Sequence, residues 1–529
     1  MAGTAFAPRR ILATVSAVSC AIALGVPAAA HANVAAERPG PRCEPGAPGL
    51  GDTYYPTYGN GGYDVRDYDL DVTYDPATDV LDGLAAITAK ATQSLCSFNL
   101  DLVGMTVREV EIDGSPAQWT RSGQELVITP KHPLQRGRSF EVQVRYDGIP
   151  HEFVIVIPPD FELRTGFMAT PDGATVAGQP EVAAGWFPVN DHPLDKAAYS
   201  FDVTVPTGYE VVANGFLKDT DTRGGMTTYE WDAREPMASY LATIDIGQWD
   251  VDTWRTESGL PVYDAVDSAI SGGLRDVIDS SLSRQGEILD VLAQRFGPYP
   301  FSTVGAIVDN QDDLFFALET QTRPVYSKYF WFDSEGNPTN GDFVVVHELA
   351  HQWFGDDVAL ARWQDIWLNE GFATYAEWLW AEYEGFATPQ ETFQATYDAI
   401  PADDPFWDLV IGDPGVEHLF DNPVYVRGAM TLQVLRNEIG DDAFWQVLLQ
   451  WAASQSSGNG TTPEFIALAE QISGQQLDAL FNTWLFTAGK PPAPSSATAL
   501  ALPQASAQAQ GFAEQWMATQ ADRLERGRY

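Results

Sequence analysis

The chain has 529 residues, 73 of them acidic and 30 basic, for a formal charge of −43. A surface this acidic is repelled by phosphate backbones and by anionic membranes, which excludes nucleic-acid binding as a function. With 45% hydrophobic and 12% aromatic residues it is nevertheless a globular sequence, long enough for about three domains.

Residues 1–32 read as an export leader. Arg9-Arg10 supplies the basic start, Ile11 to Val26 the apolar stretch, and Ala30-His31-Ala32 the small-x-small cleavage site. The apolar stretch is shorter than the roughly 20 residues a spanning helix needs, so cleavage near Ala32 and secretion are expected rather than a membrane anchor. The arginine pair leaves general and twin-arginine export both open. Cys20 departs with the leader. Cys43 and Cys96 remain, and an oxidising compartment favours a disulfide between them over two free thiols.

Residues 33–62, rich in Gly, Pro and Tyr from Pro39 onward, form an irregular lead-in. From Tyr63 the apolar residues alternate: Tyr63 and Val65, then Tyr68, Leu70, Val72 and Tyr74, with the same pattern at Phe140–Tyr146 and Phe201–Val205. Period two is the strand period, so 63–253 is expected to be a β-rich domain. Past residue 274 the spacing of Val277, Ile278, Leu282, Ile288, Leu289, Leu292 and Phe296 is helical, and Gly297-Pro298 stops it. Further helices are predicted over 342–354, 367–384, 425–439, 441–453 and 463–485, the last with Thr462 as N-cap and Pro463 at its first position. Residues 254–490 are therefore expected to be mostly helical. The tail, 491–529, opens Pro-Pro-Ala-Pro and reads as a linker, with room for a short helix carrying Phe512 and Trp516 four apart. The fold class is α+β, multidomain.

One segment carries chemistry. In VVVHELAHQWFGD, His347 and His351 stand four apart, so on a helix both imidazoles leave one face and reach a single ion, while Glu348 lies about 100° round the axis. Gly355 is placed to end that helix. Glu370, in the first turn of the next helix, supplies a third ligand. Two His and one Glu leave the fourth zinc position open, the mark of a catalytic rather than a structural site. The alternative is a pair of ordinary helix histidines. With seven histidines in the chain, H-E-x-x-H should arise by chance roughly 0.005 times, so coincidence explains it poorly. Zinc acidifies a water and polarises a carbonyl, and Glu348 is placed to act as the base. These residues identify a metallopeptidase without saying whether it cuts inside a chain or at its end.

With HELAHQWFGDDVALARWQDIWLNE, FGPYPF at 296–301, YVRGAMTL at 425–432 and QPEVAAGWFPVNDHPLDKA at 179–197, the sequence resembles the aminopeptidase N and leukotriene hydrolase family of zinc metallopeptidases over about residues 60 to 490. The resemblance implies a saddle-like β domain followed by a thermolysin-like catalytic domain, one Zn²⁺ per chain, and peptides with a free N-terminus as substrates. It implies Tyr425 as the donor to the tetrahedral oxyanion. It implies Glu319, in the sequence FALET where the family has G-x-M-E-N, as the partner of the substrate ammonium, with Gln179 as a second anchor. Phe316 stands at the family's glycine and is expected either to narrow the first-residue pocket or to pack into the core. Arg427 is expected to organise the site or meet substrate backbone, with a surface salt bridge as the alternative. About 37 residues follow Pro492, which implies a short form without the family's large C-terminal helical domain and a more open cleft. A monomer without a membrane span is expected. The rival readings are an endopeptidase with the same zinc chemistry, which would have no ammonium to bind at Glu319, and a catalytically inactive peptide-binding protein, which would have no need of Glu348.

Overall fold

The computed structural model describes residues 43–157, 161–333, 335–492 and 506–525. The expected leader and cleavage site lie outside these residues. Among them, no helix is long and apolar enough to cross a membrane.

The first half is built from strands. Eight form one sheet in the order Phe216–Arg223, Met226–Met237, Ala197–Pro206, Tyr63–Asp75, Val80–Ala91, Ser139–Gly148, Thr106–Ile112, Ser115–Pro116. Neighbours are antiparallel except Tyr63–Asp75 beside Ala197–Pro206, a parallel pair with Leu70 opposite Phe201 and Val72 opposite Val203. The break in alternation between Val65 and Tyr68 is a bulge: the register against Val80–Ala91 slips between Val65 and Asp67, so Tyr68, Leu70, Val72 and Tyr74 regain the buried face that Tyr63 and Val65 occupy. Two smaller sheets complete this half, one of Glu44–Pro45, Leu95–Asp101, Glu125–Thr129 and Gln118–Ser122, the other of Glu152–Ile157, Phe161–Thr170, Gly173–Ala177, Ile244–Gly247 and Glu210–Ala213.

Strand Trp249–Arg255, which runs across the expected junction at 253/254, pairs with Pro261–Asp267 and belongs to a further five-stranded sheet with Val304–Asp309, Val325–Ser327 and the edge strand Ala317–Leu318. The second half is thus mostly helical, as expected, and also contains a mixed sheet with two helices inserted between its strands.

Among the described residues the α-helices are α1 (Gly273–Leu282), α2 (Gln285–Phe296), α3 (Asp342–His351), α4 (Trp367–Tyr383), α5 (Pro389–Ala399), α6 (Asn422–Ile439), α7 (Asp441–Gln455), α8 (Thr462–Ser473), α9 (Asp478–Leu485) and α10 (Ala507–Glu525). The helix predicted from residue 274 breaks in two at Ser283-Arg284, where Arg284 turns inward. Its guanidinium bonds Asp342 and Glu384, both at 2.6 Å, and lies over the Trp380 ring. The one predicted over 463–485 also divides, at Gly474, a left-handed C-cap with φ +69°. Its N-cap is Thr461, not Thr462: Thr461 and Glu464 form a reciprocal capping box. Helix α5, unassigned from sequence, carries the same device in Thr388 and Glu391. Helix α4 is buried from Trp367 to Ala381, its polar residues Asn369, Glu370, Thr374 and Glu377 included, and runs through the middle of the second half.

The lead-in is more than a leash. Cys43 and Cys96 are joined, with Cα atoms 5.1 Å apart. Asp52 accepts from the Trp363 backbone N–H at 2.8 Å, and Tyr54 donates its hydroxyl to Asp413, so this stretch bonds directly to the catalytic half.

Candidate active site

Helix α3 ends at His351, four residues before Gly355, which lies in the turn that follows with φ +140°. On that last turn His347 Nε2 and His351 Nε2 stand 3.4 and 3.3 Å from Glu370 Oε2. The ligand atoms of His347, His351 and Glu370 all lie within 4.8 Å of one another. The opposite ring nitrogens are occupied: His347 Nδ1 is 2.8 Å from Glu377 Oε1, and His351 Nδ1 is 3.0 Å from the Phe354 carbonyl. Acceptors there hold the Nδ1 protons and leave both Nε2 lone pairs facing inward, the tautomer a metal ligand requires. Glu377 was missed from sequence, although seven positions after Glu370 is two helical turns along the same face of α4.

Glu319, Glu348 and His351 form a second group with polar atoms within 4.8 Å. Three buried carboxylates beside two imidazoles need a cation among them. Two imidazoles and a carboxylate with one side open fit zinc. Burial pushes Glu348 up to about 7, and the two imidazoles oppose it. Burial also raises Glu370, but His351 and His347 outweigh it and hold that carboxyl below its ordinary value. The two acids differ in character accordingly: Glu370 stays charged, whereas Glu348 is poised to exchange a proton near neutrality.

Helix α6 brings Tyr425. The ring is half-buried and lies nearly parallel to that of His347, with centroids 6.0 Å apart. What lets α6 approach is a pair of glycines: a Cβ on Gly371 would meet Gly428 Cα at 2.9 Å, and one on Gly428 would meet Gly371 Cα at 2.8 Å. Gly371 follows Glu370 and Gly428 follows Arg427, so backbone touches backbone where α4 and α6 present their site residues. Arg427 is buried and bonds the carbonyls of Trp407, Leu409, Thr483, Trp484 and Thr487. It forms no surface salt bridge; it gathers two chain segments onto α6, and these five bonds occupy it.

Glu319 follows the edge strand Ala317–Leu318. Tyr240, from the first half, donates its hydroxyl to Glu319 Oε1 at 2.9 Å. Gln352, the residue after His351, donates to the Glu319 carbonyl at 3.0 Å and accepts from Thr322 N–H at 2.7 Å. Thr322 sits at φ +67°, an uncommon conformation for a β-branched residue. Asn214 braces the same loop by donating to the Gln321 carbonyl. No motif announced Tyr240 or Asn214, because their partners lie about eighty and a hundred residues away.

Gln179 lies on the loop after strand Gly173–Ala177, joined to Pro180 by a cis bond. Its Oε1 is buried without a hydrogen-bond partner, and no hydrogen bond links it to Glu319 among the described residues. Glu181, two residues on and passed over from sequence, also has a buried, unpartnered oxygen, and burial pushes it up to about 7. Phe316 packs into the hydrophobic core while its neighbour Phe315 stacks on Tyr329.

Two family domains match the chain in this order, the Peptidase M1 N-terminal domain over residues 65–241 and the Peptidase family M1 domain over 281–484. Among curated relatives, aminopeptidase M1-D of Oryza sativa subsp. japonica is 27% identical over 58% of this chain and 36% of its own length. Probable aminopeptidase 1 of Sulfurisphaera tokodaii is 25% identical over 74% of this chain and 49% of its own. The chain therefore spans about a third to a half of the length of these relatives. The structure of an M1 zinc metallopeptidase from Deinococcus radiodurans is 29% identical, with a TM-score of 0.75 over 85% of this chain and 99% of that one. A variant of the latter has been solved with a Tyr-Ser-Ala substrate bound, at the same TM-score. The order of the two domains, the ligand geometry and the extent of these matches agree: the chain is a member of peptidase family M1, the zinc metallopeptidases related to aminopeptidase N.

Proposed function

We propose that the protein is a secreted aminopeptidase that removes single residues from the N-terminus of peptides, with one zinc ion held by His347, His351 and Glu370. The observation that carries the reading is Glu319: a buried carboxylate, oriented by Tyr240, whose oxygen lies within 4.8 Å of both Glu348 and His351. A peptide ammonium there stands one residue from the ion, so the first peptide bond is the one presented. An internal bond offers nothing for that carboxylate to bind, which disfavours an endopeptidase.

The zinc, when bound, acidifies a water and polarises the scissile carbonyl. Glu348, raised towards neutrality by burial, takes the proton from the attacking water and passes it to the leaving amine. Tyr425, beside His347, donates to the oxyanion as the carbonyl becomes tetrahedral. Glu319 holds the ammonium, and Gln179 and Glu181 offer further unsatisfied oxygens on the loop contributed by the first half. Two structural neighbours, a Deinococcus radiodurans variant with Tyr-Ser-Ala bound and a two-domain M1 zinc metallopeptidase variant with L-arginine bound, support a peptide end as the occupant. The acidic balance and the basic-apolar start of the chain support export, with the protein working as a monomer.

The test is a panel of aminoacyl reporters and their N-acetylated counterparts, with and without chelator. Cleavage confined to free amines and abolished by chelation is expected. Equal cleavage of both series would reject the Glu319 assignment in favour of an endopeptidase.

A further inference from the structure

Helix α10 begins more than twenty residues beyond the end of the matched M1 domain at 484, yet it reaches the metal centre. Trp516 is buried, and its indole N–H donates to Glu377 Oε2 at 2.6 Å. The other oxygen of the same carboxylate, Glu377 Oε1, takes His347 Nδ1 at 2.8 Å. We propose that α10 is a working part of the metal centre, in which Trp516 acts through Glu377 as a positioning residue for His347. The proposal rests on the reading of His347, His351 and Glu370 as zinc ligands.

The docking of α10 is built rather than incidental. Phe512 stacks on Phe386 at 5.8 Å and tilts against Phe343, in the first turn of α3, at 5.6 Å. Trp516 meets Trp378 edge-on at 5.8 Å, and Ala509 and Ala513 are buried beside these rings. Gln508 donates to the Gly385 carbonyl at 2.9 Å. The two aromatics, one turn apart, therefore seat the helix against α3 and α4 together, the elements that carry all three ligands.

The physical role follows from the carboxylate's position. Glu377 is buried, so each oxygen needs a donor, and its plane is free to turn about the Cγ–Cδ bond unless both are held. With Trp516 on one oxygen and His347 on the other, the carboxylate is held with its plane fixed. It keeps the His347 proton on Nδ1 and the Nε2 lone pair on the ion. Without the indole donor, Glu377 Oε2 loses a short hydrogen bond, the carboxylate is held less firmly, and so is the imidazole it steers. Partners of this outer kind change metal affinity by about 10–100-fold when removed.

The experiment compares full-length wild type, Trp516→Phe, Glu377→Gln and the double variant, each loaded with zinc. Two quantities are read: the rate of zinc release to a chromogenic chelator, and the thermal midpoint of the zinc-free protein. Phenylalanine keeps an aromatic ring beside Trp378 but removes the N–H donor together with the rest of the five-membered ring, so the zinc-free midpoint is the control for lost packing. Trp516→Phe should release zinc about tenfold faster, at the lower end of the range for outer partners. Its zinc-free midpoint should stay close to wild type, and it should add nothing on the Glu377→Gln background. Should the variant melt early, release rates measured below both transitions decide. Wild-type release rates in Trp516→Phe, or an effect that adds in full to that of Glu377→Gln, would overturn the proposal while leaving the zinc site standing. A wild-type protein that takes up no zinc would overturn both.

Discussion

Glu348 and Glu370 show how two like side chains 22 positions apart in sequence acquire opposite duties from their surroundings. Glu370 faces both imidazoles and is held charged, whereas Glu348 is governed by burial and sits at about 7. Glu348→Gln keeps the shape and removes the proton acceptor. Turnover should fall by about 10²–10⁴-fold while zinc content is unchanged, checked by reporter hydrolysis and metal analysis on the same sample. Undiminished turnover would remove Glu348 from the base role. Tyr425→Phe tests the oxyanion donor in the same way: kcat should drop by about 10²-fold with KM little altered, because the bond forms only as the carbonyl becomes tetrahedral. At this scale much was legible. His347 and His351 are fixed by helical spacing, a purely local property, and Glu370 by its place in the first turn of the next helix. Tyr240 and Gln352 were not legible, because what makes them matter is a partner brought in by the fold.

Among the elements, the meeting of α4 and α6 shows what an amphipathic pattern cannot say. Both helices are predicted from their apolar spacing, but their separation is set by Gly371 and Gly428, whose missing Cβ atoms allow contact that alanine would forbid by roughly an ångström. Gly428→Ala should push α6 outward, withdraw Tyr425 from His347, and lower kcat more than stability alone explains. The measurement is the ratio of kcat to folded fraction at a temperature where the variant remains native. A ratio equal to wild type would mean the helices tolerate the methyl. The broken helix at Ser283-Arg284 teaches a related lesson: no proline marks it, Gly286 lies just past it inside α2, and the break falls at an arginine whose acidic partners lie 58 and 100 residues downstream. The capping boxes at Thr388 and Thr461 were by contrast written in the sequence, since cap and partner are three residues apart.

Across the whole molecule, the acidic balance is also an interior property. Burial raises Asp195 from 3.8 to about 7, Glu125 and Glu181 to about 7, and Asp191, Asp264 and Asp309 to about 6. Each is held protonated in the fold more than in the unfolded chain. The stability each contributes is therefore complete below its unfolded pKa and is lost as pH climbs to its folded value. For Asp195 that window runs from 3.8 to about 7 and is worth about 4 kcal/mol at most. The thermal midpoint should be higher at about pH 5 than at about pH 8, and Asp195→Asn should flatten the difference by several degrees. An identical slope in the variant would show that Asp195 is already ionised in the fold. None of these burials could be foreseen from composition, which counts carboxylates without saying which face solvent.

The lead-in carries a final consequence for how the chain is made. Asp52 and Tyr54 find their partners at Trp363 and Asp413, spans of 311 and 359 residues, so these bonds cannot close until most of the polypeptide has been delivered. Loops of that length close late, after local helices and hairpins have formed. Cys43 to Pro45 are tied to the nearby Leu95–Asp101 strand, whereas Asp52 and Tyr54 are among the last residues to be secured, and until then the Trp363 backbone N–H is unmet.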